Sequence, residues 1–391
     1  MMIKMFKYKA ALLAVAALLS APGFAKSDCE TNWVSKSDTE FAKDCANMAF
    51  SKDLKDRERV AWMFFTRINQ LIKDQQGVSG SDKVPVWMAW PTDDDTFQVT
   101  PSFQFTEQNR ADLVPVTKKK LLAGNVSTTD PNSANEEVTR NAVSFDYLTK
   151  TARLNTKNGV LSYINAGNRV DMPVGSIELK ASWLKVPEGE VAPEGALYFN
   201  FDSGTYWWRG IHIMAKMRSL PETEPLFHSE EPSWFWTTFE FNNNPGLKHV
   251  RDTFITQRAP LSKKTINNIL KEGGIAGVDF NNYSPNGTQI RFTEKGKGKK
   301  PVILGHTDME DFAGGPNTAQ PAYFTHFDSS CHTCHATAAI NIKTKTFFPF
   351  SVPIGRLSDQ YYAPDSNGLN LYLADGFEPL DFMWPISFHA K

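Results

Sequence analysis

From about Pro173 the apolar residues of this chain stop recurring at three- and four-residue spacing and begin to alternate, and this change of period restricts the fold more than any other feature. Ile177, Leu179, Ala181 and Trp183 alternate with Glu178, Lys180 and Ser182, and similar runs follow at Ala196 to Phe201, Tyr206 to Met217 and Ser233 to Phe241. Successive side chains of a strand point to opposite faces, so each run reads as a strand with one apolar and one mixed face. The even spacing of the runs, with no helical pattern between them, favours an antiparallel sheet. Upstream, Phe41, Cys45, Met48 and Ala49, then Val60, Ala61, Phe64, Phe65, Ile68, Leu71 and Ile72, keep helical spacing, while Lys52, Lys55, Asp56 and Glu58 take the other side. Shorter helices are predicted over 141–154 and 262–272. The expected fold class is α+β. A mainly helical region covers 26–165, an antiparallel β region 166–250 and a C-terminal region 251–391.

Alternation also assigns faces. In the run from Tyr206, Trp207, Arg209, Ile211 and Ile213 share one side, and Trp208, Gly210, His212 and Met214 the other. In the next run Phe235, Thr237, Phe239 and Phe241 oppose Trp234, Trp236, Thr238 and Glu240. If the Ile and Phe faces form the core, the opposite face carries Glu178, Lys180, His212, Thr238 and Glu240 among Trp208, Trp234 and Trp236. This is either an ordinary polar face with some amphipathic aromatics or a face covered by another part of the chain, since so many indoles bury a large area when covered. The sharper expectation is that the C-terminal segment lies across it.

That segment reads Cys331-His332-Thr333-Cys334-His335. C-x-x-C-H is the arrangement by which haem is fixed covalently to a polypeptide. Each thiol adds to one vinyl group, and the His directly after the second thiol is held under the iron, so His335 is the expected proximal ligand. Two other chemistries use the same residue types. A redox dithiol is expected near a βαβ pattern, and none leads into Cys331. A structural zinc site needs four ligands, which Cys331, Cys334, one of His332 and His335, and His326 can supply. Asp328 or Ser329 is placed to cap a short helix, in which Ala336, Ala338 and Ala339 would let a macrocycle lie close to the backbone. The group on the far side of the iron separates one function from another. His212, Met383 and Met309 are the main candidates for it, with His306 and His389 behind them, and Lys180, Trp236 and Glu240 are expected around the haem.

The N-terminus weighs toward haem rather than zinc. Lys4, Lys7 and Lys9, the apolar run from Ala10 to Leu19 and the small residues of Gly23-Phe24-Ala25 compose an export signal over 1–25, cleaved near Ala25. Export leads to the compartment where c-type haem is attached. The apolar run is too short to span a bilayer, and no later one reaches about twenty residues, so no transmembrane anchor is expected and the mature protein is expected in the periplasm. Of four cysteines, Cys29 and Cys45 remain for a disulfide in that oxidising space, the alternative being two independent thiols. A formal net charge of -1 makes no case for nucleic acid as a partner. The basic stretch from Glu294 to Lys300 and the acidic run Asp93, Asp94 and Asp95 are either solvated or steer a charged partner.

The blocks Glu178-Leu179-Lys180-Ala181-Ser182-Trp183, Gly210-Ile211-His212-Ile213 and Trp236-Thr237-Thr238-Phe239-Glu240, followed by C-x-x-C-H, resemble a group of exported bacterial cytochrome c family proteins. Ala61-Trp62-Met63-Phe64-Phe65 and Val86-Trp87-Met88-Ala89-Trp90 are similar, more loosely, to that group's aromatic motifs near the N-terminus. Phe241-Asn242-Asn243-Asn244 departs from the pattern, in which His or Gln and then Val-Asp-Asn are more usual. The resemblance implies one covalent haem c, export and a shared β core, and it implies no reaction. Three functions follow from the residues. The simplest is a monohaem electron carrier exchanging electrons with periplasmic donor and acceptor proteins. The second is a haem-dependent redox enzyme, peroxidase-like, with an iron position open to a small molecule and His212 with Glu240 or Arg209 managing protons. The third is a haem-based sensor or binding module.

Overall fold

The structure, a computed structural model, describes residues 28–73, 83–101, 103, 135–201, 204–220, 232–245, 247–253, 258–291, 304–307, 309, 331–336, 338–347 and 376–390. The export signal, the lysine-rich stretch at 294–300, His326 and the Asp328 and Ser329 cap lie outside the described residues.

Helix α1 (Asp38–Ala49) opens on Ser37, whose hydroxyl accepts from the Glu40 amide while the Glu40 carboxylate accepts from the Ser37 amide. This reciprocal cap satisfies two donors that a helix start leaves without partners. Helix α2 (Leu54–Ile68) begins at Asp53, which accepts from the Lys55 amide. Cys29 is joined to Cys45 of α1 by a disulfide, with the Cα atoms 4.5 Å apart. Strands β1 (Leu71–Lys73) and β2 (Lys83–Pro85) make a small antiparallel ribbon. The residues 92–96 that follow show that the acidic run is not simply solvated. Asp95 is buried and accepts from the Thr92 amide, and Asp93 pairs with Arg140.

The main sheet is formed by β3 (Asn135–Arg140), β4 (Ile177–Lys185), β5 (Tyr198–Phe201), β6 (Gly204–Lys216), β7 (Trp234–Phe241) and β8 (Tyr283–Gln289). Its order is β3-β4-β6-β7-β8, with β5 also paired to β6, and every pairing is antiparallel. The fold is therefore α+β. Strands β3 and β8 carry the sheet beyond residues 166–250 on both sides. On one face α1 and α2 pack their aromatic side chains. Phe65 stacks on Phe239 at 4.1 Å between ring centroids, Trp62 meets Phe239 at 5.0 Å and Phe64 meets Phe235 at 5.9 Å.

One face assignment needs correction. Ser182 is opposite Gly210 but Trp183 is opposite Trp208, so Arg209 is an extra residue in β6. Such a bulge reverses the facing of what lies beyond it. Trp208 consequently turns to the helix side, with ring centroids 6.0 Å from Phe65, 6.0 Å from Trp87 and 4.6 Å from Tyr283.

The other face is also covered. Tyr147, Leu148, Leu154, Val160 and Met172, together with Leu380, Met383, Trp384 and Ile386 near the C-terminus, form a second apolar cluster with Met214, Trp234 and Trp236 of the sheet. A three-stranded antiparallel sheet belongs to this layer. Strand β9 (Ala339–Asn341) runs between β10 (Thr346–Phe347) and β11 (Phe377–Pro379), with Pro379 opposite Ala339. The Leu380 amide then donates to the Ala338 carbonyl at 2.9 Å. This pairing returns the chain from β11 to the helix Cys331–His335. No helix among the described residues is long and apolar enough to cross a membrane.

Candidate functional site

The helix Cys331–His335 is little more than one turn, which suffices to bring positions 331, 334 and 335 to one side because residues three and four apart share a helix face. Cys331 is buried and its thiol lies 3.5 Å from the Leu304 carbonyl. The His332 amide donates to Oε1 of Gln289, at the end of β8, at 3.2 Å. The side chain of Cys334 lies outside the described residues. Ala336, Ala338 and Ala339 are buried immediately after the helix.

His335 is held at both its face and its far nitrogen. Its ring centroid is 4.7 Å from that of Trp236, at an interplanar angle of 63°. Its Nδ1 lies 2.8 Å from the Phe382 carbonyl oxygen. A carbonyl can only accept, so Nδ1 carries a proton, and in the neutral ring the lone pair is then on Nε2, the tautomer that a metal-ligating histidine needs. His332 is buried against the rings of Trp236, at 6.2 Å, and Phe382, at 4.8 Å. Burial, and secondarily the neighbouring His335, push its pKa down to about 3, so it is neutral.

A polar cluster from β6 and β7 supports the adjoining segment. Glu240 Oε1 lies 3.0 Å from Nδ1 of His306 and accepts from both the amide and the hydroxyl of Thr307. Burial alone would raise the Glu240 carboxyl, but the charge and hydrogen bond of His306 and the Thr307 amide hold it down to about 2. Asn286 donates to the Gly305 carbonyl at 2.8 Å and is itself held by Arg251 at 2.7 Å. Residues 304–307 are thus tied to the sheet and lie against Cys331. Nε2 of His306 sits where a side chain at position 210 would begin, 2.4 Å from the place of a Cβ, so Gly210 is needed for the close approach. His212 is buried beside this group, its Nδ1 2.7 Å from the Thr238 hydroxyl and its ring 5.9 Å from that of His306.

The candidate residues are therefore distributed unevenly. Trp236 contacts His335 directly, and Glu240 acts on the neighbourhood of Cys331 through residues 304–307. Lys180 pairs with Glu136 of β3 at 2.9 Å. Met383 is fully buried in the second cluster, one residue after the carbonyl that accepts the hydrogen bond of His335. Met309 is fully buried just beyond Thr307. His389 Nε2 lies 3.2 Å from Asp93, beside the Asp93–Arg140 pair.

The residues present fit a covalently attached haem on their own chemistry. A buried thiol, a second cysteine three positions on and a histidine in the Nδ1–H tautomer are the donor set. The indole Nε1 of Trp236, in contact with His335, is buried without a hydrogen-bond partner among the described residues. Among those residues no group of three His, Cys, Asp or Glu converges as in a metal-ion site. Periodicity alone missed the Phe382 carbonyl, Asp381 and Lys216. A lone aspartate in the apolar stretch Leu380–Trp384 and a lone lysine ending an apolar strand were the available signals. In comparisons with known proteins, no family model, no curated protein and no solved structure matches this chain.

Proposed function

We propose that this chain is an exported, periplasmic c-type cytochrome that binds one haem through Cys331 and Cys334, with His335 as proximal ligand, and transfers electrons. The observation that carries the reading is the 2.8 Å hydrogen bond from His335 Nδ1 to the Phe382 carbonyl at the end of a C-x-x-C-H helix. That bond orients the imidazole and makes it a better donor through Nε2. A bound haem would supply one-electron chemistry at iron. The chain's part is to fix the proximal histidine between Trp236 and Phe382 and to surround it with apolar residues, which keeps water away and limits rearrangement between oxidation states. Export is supported by the Cys29–Cys45 disulfide, since such bonds persist in oxidising compartments.

The sixth position bears on the reaction. Phe382 accepts from Nδ1, at the end of the ring remote from Nε2, and a haem held through Nε2 would lie away from that carbonyl, which weighs against the adjoining Met383 as the second ligand. His306 turns Nε2 onto Gly210. His212 and Met309 remain, and His212 has its Nδ1 on Thr238, which is compatible with a lone pair on Nε2. A second reading, in which the iron keeps a position open to a small molecule, is favoured by the buried grouping of Glu240, His306 and His212.

After expression with the haem-maturation machinery, denatured protein should keep haem bound, and Cys331→Ser together with Cys334→Ser should release it. Haem lost from the unaltered protein on denaturation would overturn the proposal. The spectrum then separates the readings. A low-spin form indifferent to cyanide and carbon monoxide is expected of an electron carrier, whereas a high-spin ferric form that binds them indicates an open position. His212→Ala should convert the former spectrum to the latter, and an unchanged spectrum would remove His212 as a ligand.

A further inference from the structure

Asp381 and Phe382 are consecutive non-glycine residues with φ of +48° and +67°. The left-handed region is unfavourable for side chains that carry a Cβ, and it persists only where the surroundings over-determine it. Here the determinants are tertiary. The Asp381 carboxylate is fully buried and accepts from Lys216 Nζ at 2.7 Å, Trp234 Nε1 at 2.9 Å and the Met172 amide at 2.7 Å. Lys216 is fully buried as well, and its second carboxylate partner is Asp171 at 2.8 Å. Lys216 of β6 and Trp234 of β7 are cross-strand partners, so the anchor is part of the sheet itself. The Phe382 carbonyl that this turn presents is the one that accepts from His335.

We propose that Asp381 is a positioning residue for His335: by tying a left-handed turn to Lys216 and Trp234 it fixes the Phe382 carbonyl, and through that carbonyl the orientation and basicity of the imidazole. The inference rests on His335 being an iron ligand. A strong hydrogen bond from Nδ1 makes Nε2 a stronger donor, which favours ferric over ferrous iron. Releasing the turn weakens that bond and raises the reduction potential. Loss of the Asp381 charge would itself raise the potential, so the positioning role is read from Trp234→Phe, which loosens the anchor without changing charge and would leave the potential where it was if the pair served stability alone.

The test uses the full chain matured with haem. Asp381→Asn keeps the side-chain volume and leaves Lys216 paired with Asp171. Trp234→Phe removes only the indole N–H, leaves the charge unchanged and also serves if the first variant does not fold. Covalent haem is measured on denatured protein, and the potential by spectroelectrochemical titration. Both variants should keep haem, and Asp381→Asn should shift the ferric to ferrous equilibrium toward ferrous by about tenfold, equivalent to about 59 mV for one electron. Trp234→Phe should move it less, in the same direction. Phe65→Ala, a core change on the other face of the sheet, should lower stability without moving the potential. Trp234→Phe protein that carries haem at the unaltered potential would overturn the positioning role, whereas absence of covalent haem from the unaltered protein would overturn the cofactor reading itself.

Discussion

Glu240 shows how one buried side chain organises a stretch of backbone. It is fully buried, it carries His306 and Thr307, and its pKa is held down to about 2 against burial, first by His306. An unfolded glutamate titrates near 4.3. The folded value lies below that, so this stabilisation is present above the unfolded value and is lost as pH falls through it toward 2. Glu240→Gln should cost about 3 kcal/mol at neutral pH, as expected for breaking a buried pair. Because the unaltered protein loses the same contribution in acid, the difference should narrow by about half near pH 3. Denaturant unfolding at the two pH values measures this, and an equal difference at both would show that the carboxylate charge is irrelevant. Sequence alternation already placed Glu240 on the same face as Trp236. Its partners His306 and Thr307 were not legible there, because they are more than sixty residues away and no periodicity relates them.

At the scale of elements, the pairing of α2 with the sheet carries much of the core. Phe65 is fully buried and stacks on Phe239, with Trp208, Phe280 and Tyr283 also around it. Truncation to alanine leaves a cavity that close-packed neighbours fill only partly. Phe65→Ala should therefore lower stability by about 3 to 5 kcal/mol, measured by urea unfolding, and a loss below about 1 kcal/mol would mean that α2 is not packed as described. The strands β4, β6 and β7 and the helices α1 and α2 were readable from spacing, since each buries one face. The reversal of Trp208 was not, because a bulge changes facing without changing composition. Strand β3 was also hidden. It reads Asn-Glu-Glu-Val-Thr-Arg, a polar edge whose strand character comes from its partner β4 and from Arg140 engaging Asp93 and Glu178.

Over the whole molecule, the Cys29–Cys45 disulfide and the haem attachment proposed at Cys331 and Cys334 are separable. The Cys29–Cys45 bond closes 16 residues and should contribute about 3 kcal/mol by limiting the unfolded chain. Reductant opens a disulfide but leaves thioethers intact, so reduced protein should unfold at lower urea while keeping the haem proposed at Cys331 and Cys334. Haem loss under reductant alone would contradict attachment through Cys331 and Cys334. The sequence by itself determined the helices α1 and α2 and the strands β4, β6 and β7, because burial of one face imposes a period, and which residues have the chemistry to hold a haem, because C-x-x-C-H is a local arrangement. It also placed the tryptophan-rich face. Only the tertiary structure decided what lies on that face. The return of the chain through β11 brings the Phe382 carbonyl to His335, and a buried Lys216–Asp381 pair holds the turn that presents it. The Asp381 contacts join residues 147 to 209 positions apart and the His335 contact depends on a backbone atom, and neither distance nor a carbonyl's direction is written in the order of side chains.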